Sequence, residues 1–240
     1  MKNMKTPLKK YLRLLFVPGM LLLSLSSCIK DNNNYVAPPV AYLAFVQAST
    51  DEPPINFLLN SDLVNNSGPI LYGNYLGYIN AYAGSRTANF DNAYTGGQLL
   101  SQAITLNQKT YYTLFLANTA TSPETLLLVD SLNKPNQGEA TIRFVNLSPD
   151  AGSVDLQAKG TTTTTIANKP FLGYSASINV PAGAYTLQVN STGTSTALAS
   201  RAAVTLGPGG VYTVWLYGLK NNTTPADVAT IGVSTNALYD

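Results

Sequence analysis

The sequence has no histidine and a single cysteine among its 240 residues. Without histidine there is no serine–histidine triad, no cysteine–histidine dyad, no histidine-ligated zinc and no imidazole base. One cysteine cannot close a disulfide within the chain, so stability has to come from a packed core. Charge is scarce too, at 11% of residues, and beyond Arg13 the cations are scattered singly from Lys30 to Lys220. That excludes the basic patch a nucleic-acid binder needs. The apolar stretch Leu14 to Leu25 is twelve residues long, short of the roughly 20 that a spanning helix requires.

What is present starts with MKNMKTPLKKYLR, which carries Lys2, Lys5, Lys9, Lys10 and Arg13 and no acid, ahead of LLFVPGMLLLSL. A positive segment followed by a short apolar one is the order of a secretory signal. The tetrapeptide Leu25-Ser26-Ser27-Cys28 then resembles the lipobox of bacterial lipoproteins. That resemblance implies cleavage before Cys28, a diacylglyceryl group on its sulfur and an acylated amine. Each buried methylene contributes about 0.8 kcal/mol, so two or more chains anchor stably where one does not. Loss of residues 1–27 removes five of the fourteen basic residues and none of the twelve acids. Nine cations then face twelve anions, and the net charge becomes −3 in place of +2.

Residues 28–40 read as a lipidated tether, polar through Asn32-Asn33-Asn34 and stiffened by Pro38-Pro39. Lys30-Asp31 slightly resembles the acidic export signals of surface lipoproteins, and a plain linker is the other reading. The expected place is the bacterial cell envelope, lipid-anchored at the outer membrane, on either its periplasmic or its surface face. Ile29 after the cysteine is compatible with outward sorting.

The remainder repeats. AFVQASTD (Ala44 to Asp51) aligns with RFVNLSPD (Arg143 to Asp150), YLGY (Tyr75 to Tyr78) with FLGY (Phe171 to Tyr174), and AGSRT (Ala83 to Thr87) with AGAYT (Ala182 to Thr186). ITLNQKTYYTLFL (Ile104 to Leu116) aligns with VTLGPGGVYTVWL (Val204 to Leu216), and the offset stays between 96 and 100. A period this long implies two whole domains in tandem. They are placed at 41–130 and 139–240, joined by a linker at 131–138. Val154, Leu156 and Ala158 alternate with Asp155 and Gln157, and Tyr185, Leu187 and Val189 with Thr186 and Gln188. This is the period of a half-buried strand. Turn formers separate the runs, as in Gly207-Pro208-Gly209-Gly210. The expected fold is all-β: two tandem immunoglobulin-like antiparallel β-sandwiches of about seven strands each, with a small barrel as the alternative.

The run EATIRFVNLSPDAGSVDL (Glu139 to Leu156), with VPAGAYTLQV (Val180 to Val189) and GGVYTVWLYG (Gly209 to Gly218), resembles the bacterial family called domain of unknown function 4397. The first copy departs from that pattern, with Gln47 for Asn146 and Thr50 for Pro149. The resemblance implies secreted or surface-anchored tandem sandwiches of undetermined activity, and it supplies no catalytic residue.

Carboxylate pairs are the remaining route to hydrolysis. The candidates are Asp51-Glu52 and Asp150 with Asp155, although an aspartate after Ser-Thr or Ser-Pro usually caps a turn through its own backbone. Calcium needs six to eight oxygens. The loop SPDAGSVD offers two acids, and the first copy has Asn56 in place of Asp155. The expectation is therefore a non-enzyme with no catalytic residue, no metal and no cofactor.

Binding chemistry sits in LYGNYLGYINAY, which carries Tyr72, Tyr75, Tyr78 and Tyr82. Tyrosine offers a flat apolar face and a hydroxyl, suited to stacking on sugars or to peptide contacts. Tyr75 and Tyr78 match Phe171 and Tyr174, which points to a shared structural use; Tyr72 and Tyr82 have no such explanation. Trp215 and Tyr217 align with Phe115 and Ala117 and are expected to pack on a sheet face. TTTTT (Thr161 to Thr165) and STGTSTALAS (Ser191 to Ser200) read as low-complexity loops or edges, and Asp130-Ser131-Leu132 resembles a short glycan-acceptor tripeptide. Two functions stay open: an interaction or structural module with an envelope protein as partner, and a glycan-binding module using the tyrosines of the first domain. In both, the membrane is reached through the lipid.

Overall fold

A computed structural model describes residues 37–222 and 227–240. The signal segment, Cys28 and the tether through residue 36 lie outside the described residues. Residues Pro38–Asp240 form one compact unit. Among the described residues there is no helix; the regular structure is sixteen strands.

Eight strands make the first sandwich: β1 (Val40–Gln47), β2 (Ile55–Leu59), β3 (Asp62–Leu63), β4 (Tyr75–Tyr82), β5 (Gly84–Asn92), β6 (Gln98–Leu106), β7 (Tyr111–Ala117) and β8 (Glu124–Val129). Eight more make the second: β9 (Glu139–Asn146), β10 (Val154–Lys159), β11 (Thr163–Lys169), β12 (Ile178–Pro181), β13 (Gly183–Ser191), β14 (Ala197–Leu206), β15 (Gly210–Tyr217) and β16 (Thr230–Leu238). In the first, the sheet β4-β1-β7-β8 faces the sheet β3-β2-β5-β6; in the second, β12-β9-β15-β16 faces β11-β10-β13-β14. The strand order is the same in both. Every pairing is antiparallel except β1 with β7 and β9 with β15, which are parallel.

The alternation seen in the sequence fills each core. Val154, Leu156 and Ala158 are buried while Asp155 and Gln157 between them are not. Phe45, Phe57 and Phe90 stack at 4.9 to 5.4 Å at the centre of the first sandwich. Ile142, Phe144, Leu156, Leu187 and Val214 centre the second. The outer sheets read as alternating strands because one face meets water.

The central strands of the inner sheets behave differently. From Leu43 on, every residue of β1 is buried, and β7, β9 and β15 are buried along nearly their whole length. Their second faces build a third core between the sandwiches, from Val46, Phe115, Ala117, Leu128, Val145 and Trp215. Both sandwiches contribute the same sheet to this contact.

Candidate functional site

The contact between the sandwiches holds a closed ring of hydrogen bonds. Tyr78 Oη donates to Asp130 Oδ2 at 2.6 Å, and Arg143 Nη2 donates to Asp130 Oδ1 at 2.6 Å and to Thr213 Oγ1 at 3.0 Å. Thr213 Oγ1 donates to Asn236 Oδ1 at 2.7 Å, and Asn236 Nδ2 donates back to Tyr78 Oη at 2.9 Å. Thr113 Oγ1 adds a second donor to Asp130 Oδ2 at 2.7 Å, and Arg143 Nη1 reaches the Val129 carbonyl at 3.1 Å. Tyr78, Thr113 and Asp130 come from the first sandwich; Arg143, Thr213 and Asn236 come from the second. The ion pair is deeply buried, with side-chain exposures of 8% for Arg143 and 2% for Asp130. Every bond in the ring has a consistent donor and acceptor, and of Arg143's guanidinium nitrogens only the buried Nε has no partner among the described residues.

A bulge delivers Tyr78 to this ring. Leu43 pairs with Ile79 and Phe45 with Leu76, so Gly77 and Tyr78 together oppose Ala44. The extra residue switches the parity of β4. Tyr75, Tyr78, Asn80 and Tyr82 then share the face that points away from the first core, whereas strict alternation would have sent Tyr75 to the opposite side from Tyr78 and Tyr82. The structure puts the four candidate tyrosines to different uses. Tyr72 meets Tyr217 edge-on at 5.2 Å and 71°, and Tyr75 packs against the inter-sandwich core. Tyr78 closes the ring. These three are half-buried at the contact, and only Tyr82 is exposed, at 57%. The four candidate tyrosines thus have different surroundings, three packed at the contact and one ring free. Burial raises the hydroxyl pKa of all three packed tyrosines. Tyr75 is pushed up to about 12 by burial and then by Asp130, and Tyr78 is raised by burial and by the same carboxylate. Tyr72 is raised by burial and then by Tyr217, Asp227 and Asp51.

Two glycines permit the close approach. A Cβ on Gly73, whose φ is +78°, would lie 2.7 Å from the Tyr217 hydroxyl, and one on Gly232 would lie 2.1 Å from the Trp215 indole. Trp215 itself is 2% exposed and packs on the sheet face.

The outward face of β1 and β7 carries further aromatics that the sequence reading passed over. Tyr42 pairs in register with Asn80 on one side and Tyr111 on the other. The rings of Tyr42 and Tyr111 stack at 4.3 Å and 16°, and Tyr78 abuts Tyr111 edge-on at 5.1 Å and 83°. The parity of Tyr42 and Tyr111, outward on strands whose alternate residues are core, was the available signal.

The carboxylate candidates are occupied or isolated. Asp150 accepts from the backbone N–H groups of Lys220 at 2.7 Å and Asn221 at 3.0 Å. Asp155 accepts from the N–H groups of Asn168 and Gly193 and from the Thr192 hydroxyl. Burial would raise the Asp155 pKa, and these three hydrogen bonds hold it below the usual value. Among the described residues, no three acids or cysteines gather closely enough to hold a metal ion.

Glu52 stands apart. It is 9% exposed, and neither carboxylate oxygen has a partner. Its counterpart at the offset of 99 is Ala151, a core residue of the second sandwich. Burial raises its pKa from 4.5 to about 7. The fold thus prefers the protonated acid: its stability contribution is full below pH 4.5 and is lost as pH rises through about 7. Glu52→Gln should flatten this dependence and raise stability at pH 8 by about 1–3 kcal/mol. Urea melts of both proteins at pH 4.5 and 8 check it, and equal stabilities at pH 8 would mean that ionised Glu52 finds a partner.

A cavity of about 740 Å³ lies between the linker and the β14–β15 turn, bordered by Pro135, Gly138, Pro208, Leu238 and Tyr239. The Tyr239 hydroxyl donates to the Leu132 carbonyl beside it. No acid pair or aromatic cluster converges there.

Fold and site together define an all-β protein of two sandwiches fused through their inner sheets by a buried ion-pair ring. Residues 41–157 match the family model described as "Domain of unknown function (DUF4397)". The match takes in the first sandwich, the linker and the opening of the second into β10, and so includes RFVNLSPD but not Val180 to Val189 or Gly209 to Gly218. No curated protein matches the sequence. Among solved structures, the chain is similar to a family 26 carbohydrate-binding module from Eubacterium rectale in complex with maltoheptaose, at 9% identity and a TM-score of 0.27, covering 84% of this chain and 98% of that one. It is also similar to a family 41 carbohydrate-binding module of streptococcal virulence factors described for alpha-glucan recognition, at 13% identity and a TM-score of 0.26, covering 80% and 96%. A leucine-rich repeat protein from Bacteroides thetaiotaomicron is similar at 12% identity and a TM-score of 0.21, covering 84% of this chain and 27% of that one. These likenesses are distant, and what the chain does is read from its own geometry.

Proposed function

We propose that this chain is a non-enzymatic lipoprotein of the bacterial envelope, held to the membrane through Cys28, whose two sandwiches act as one rigid interaction module. The observation that carries the reading is the closed ring around Asp130 and Arg143, set beside the inter-sandwich core. A ring of this kind fixes two domains relative to each other, and its own acid and base are both spent on the contact. The same sheet of each sandwich is used up in the contact, so partners meet the loops, the outer sheets and the free rim of the inner sheets. The two sandwiches are read as tandem copies of one domain, on the shared strand order and the sequence offset of 96 to 100.

In-cell cross-linking of the intact lipoprotein tests this function. A recurrent protein partner supports an envelope assembly, and recovery of the chain alone from cells where it is abundant contradicts it. The anchor has its own test. Cys28→Ala should abolish labelling by radioactive fatty acid and move the protein from the membrane pellet to the soluble fraction, because Cys28 is the only cysteine in the sequence. Continued labelling of the variant would contradict the anchor. A second reading, glycan capture, is favoured by the exposed ring of Tyr82 and takes its form from the face around it.

A further inference from the structure

Both sandwiches build the same corner of the inner sheet, and the second shows what the fold needs there. Its register places Thr141 beside Asn179 and Val211, with Pro181 opposite Glu139. Thr141 Oγ1 donates to Asn179 Oδ1 at 2.8 Å, and Asn179 Nδ2 donates to Glu139 Oε2 at 2.9 Å, so that corner is closed by its own polar groups. In the first sandwich the same four register positions are Tyr42, Asn80, Tyr111 and Tyr82. Three tyrosines and an amide stand where the fold manages with threonine, valine, proline and a satisfied asparagine. The aromatic set is therefore surplus to folding.

We propose that Tyr42, Tyr82, Tyr111 and Asn80 form a binding site for a neutral oligosaccharide. The inference rests on the reading of the chain as a binding module and names the ligand class of one face. The rings of Tyr42 and Tyr111 stack face to face, each covering one face of the other, and Tyr78 braces Tyr111 from the side while its own hydroxyl is locked in the ring, so the pair forms a fixed wall beside the exposed ring of Tyr82. Such a wall is ordered before the ligand arrives, which lowers the entropic cost of binding. Tyr82 lies diagonally from Tyr42 on the adjacent strand, within reach for aromatic side chains. Asn80 is exposed, and its side chain hydrogen-bonds to no described residue, so both its donor and its acceptor groups are open to sugar hydroxyls. Flat apolar surface bordered by a free amide matches a pyranose ring, which has an apolar C–H face and an equatorial rim of hydroxyls.

Charge narrows the class. Residues 41–130 hold six acids (Asp51, Glu52, Asp62, Asp91, Glu124, Asp130) against Arg86 and Lys109. Arg86 is spent on the carbonyls of Tyr82, Ala83 and Ser85 at 2.8 to 2.9 Å. Lys109, in the turn before β7, is the one cation left for an anionic ligand, and a domain of net −4 opposes uronic or phosphorylated chains.

Calorimetric titration of the full mature chain with cellohexaose, maltohexaose, mannohexaose and xylohexaose tests the proposal, with polygalacturonate as the acidic comparison. At least one neutral hexasaccharide should bind, and polygalacturonate should not. Tyr82→Ala and Tyr42→Ala should each weaken that binding at least tenfold and Asn80→Ala about fivefold, while Tyr94→Ala, at a 77% exposed tyrosine in the β5–β6 turn, leaves it unchanged. Because Tyr82 is exposed, its variant keeps the parent melting curve, and loss of binding there is not loss of fold. Absence of binding to all four neutral sugars, preferential binding of polygalacturonate, or full binding by Tyr82→Ala and Tyr42→Ala would each overturn the site. A recurrent cross-linked protein partner together with no sugar binding would overturn the site and leave the module reading standing.

Discussion

Asp130→Ala is expected to lower the unfolding free energy by about 3–5 kcal/mol. Asp130 accepts from Tyr78, Thr113 and Arg143, and its removal strands a guanidinium that is 8% exposed. The cost is the penalty of the orphaned charge more than the net value of the pair, because bringing both ions out of water is itself expensive. The paired replacement Asp130→Leu with Arg143→Met should therefore cost much less than Asp130→Ala alone. Urea unfolding of the three proteins measures the difference. A double variant as damaged as the single one would show that the pair itself, and not the stranded arginine, carries the stability. Tyr78→Phe removes one bond to Asp130 and one from Asn236 while keeping the aromatic side chain, so it should lie well below the Asp130→Ala cost.

Trp215→Ala is expected to cost about 3–5 kcal/mol as well, for a different reason. The indole is the largest fully buried side chain and lies in the core between the sandwiches, against Gly232. Gly232 has no side chain of its own to move into the space, so the truncation leaves a cavity. Trp215→Phe should cost far less. The equivalent position of the first sandwich is Phe115, fully buried in the same core, and the indole Nε1 has no hydrogen-bond partner among the described residues to lose. Far-UV circular dichroism in urea is the appropriate probe, since the variants lack the only tryptophan. A loss below 1 kcal/mol, outside the usual range for a buried tryptophan, would place the indole in a solvated seam and not a core.

The strands were legible where one face is wet. The alternation of Val154 to Ala158 and of Tyr185 to Val189 marked β10 and β13, and the Gly-Pro turns marked their ends. Strands buried on both faces were less informative. AYLAFV in β1 and VYTVWLY in β15 are near-continuous apolar runs, and such a run is the signature of a strand covered on both sides. A lone Arg143 within ATIRFVNL was the sharpest clue to the contact, since a cation in such a run must find an anion. Which anion, Asp130, sat thirteen residues upstream across the linker, and only the docking of two sheets reveals the pairing. The role of Tyr78 depended on the bulge opposite Ala44, which local sequence does not announce. Tyr82 was among the tyrosines named from sequence, whereas Tyr42 and Tyr111 were hidden because each lies in a strand otherwise committed to the core.

The claim on which the rest depends is that the two sandwiches are one cooperative body. Trp215 is the sole tryptophan and lies in the contact, so its fluorescence reports the opening of that contact, while far-UV circular dichroism reports the sheets. Urea titration of the mature chain should give coincident curves for the two signals in a single transition. Fluorescence changing at lower urea while the sheet signal persists would show two separable domains, and the rigid module would fail with it.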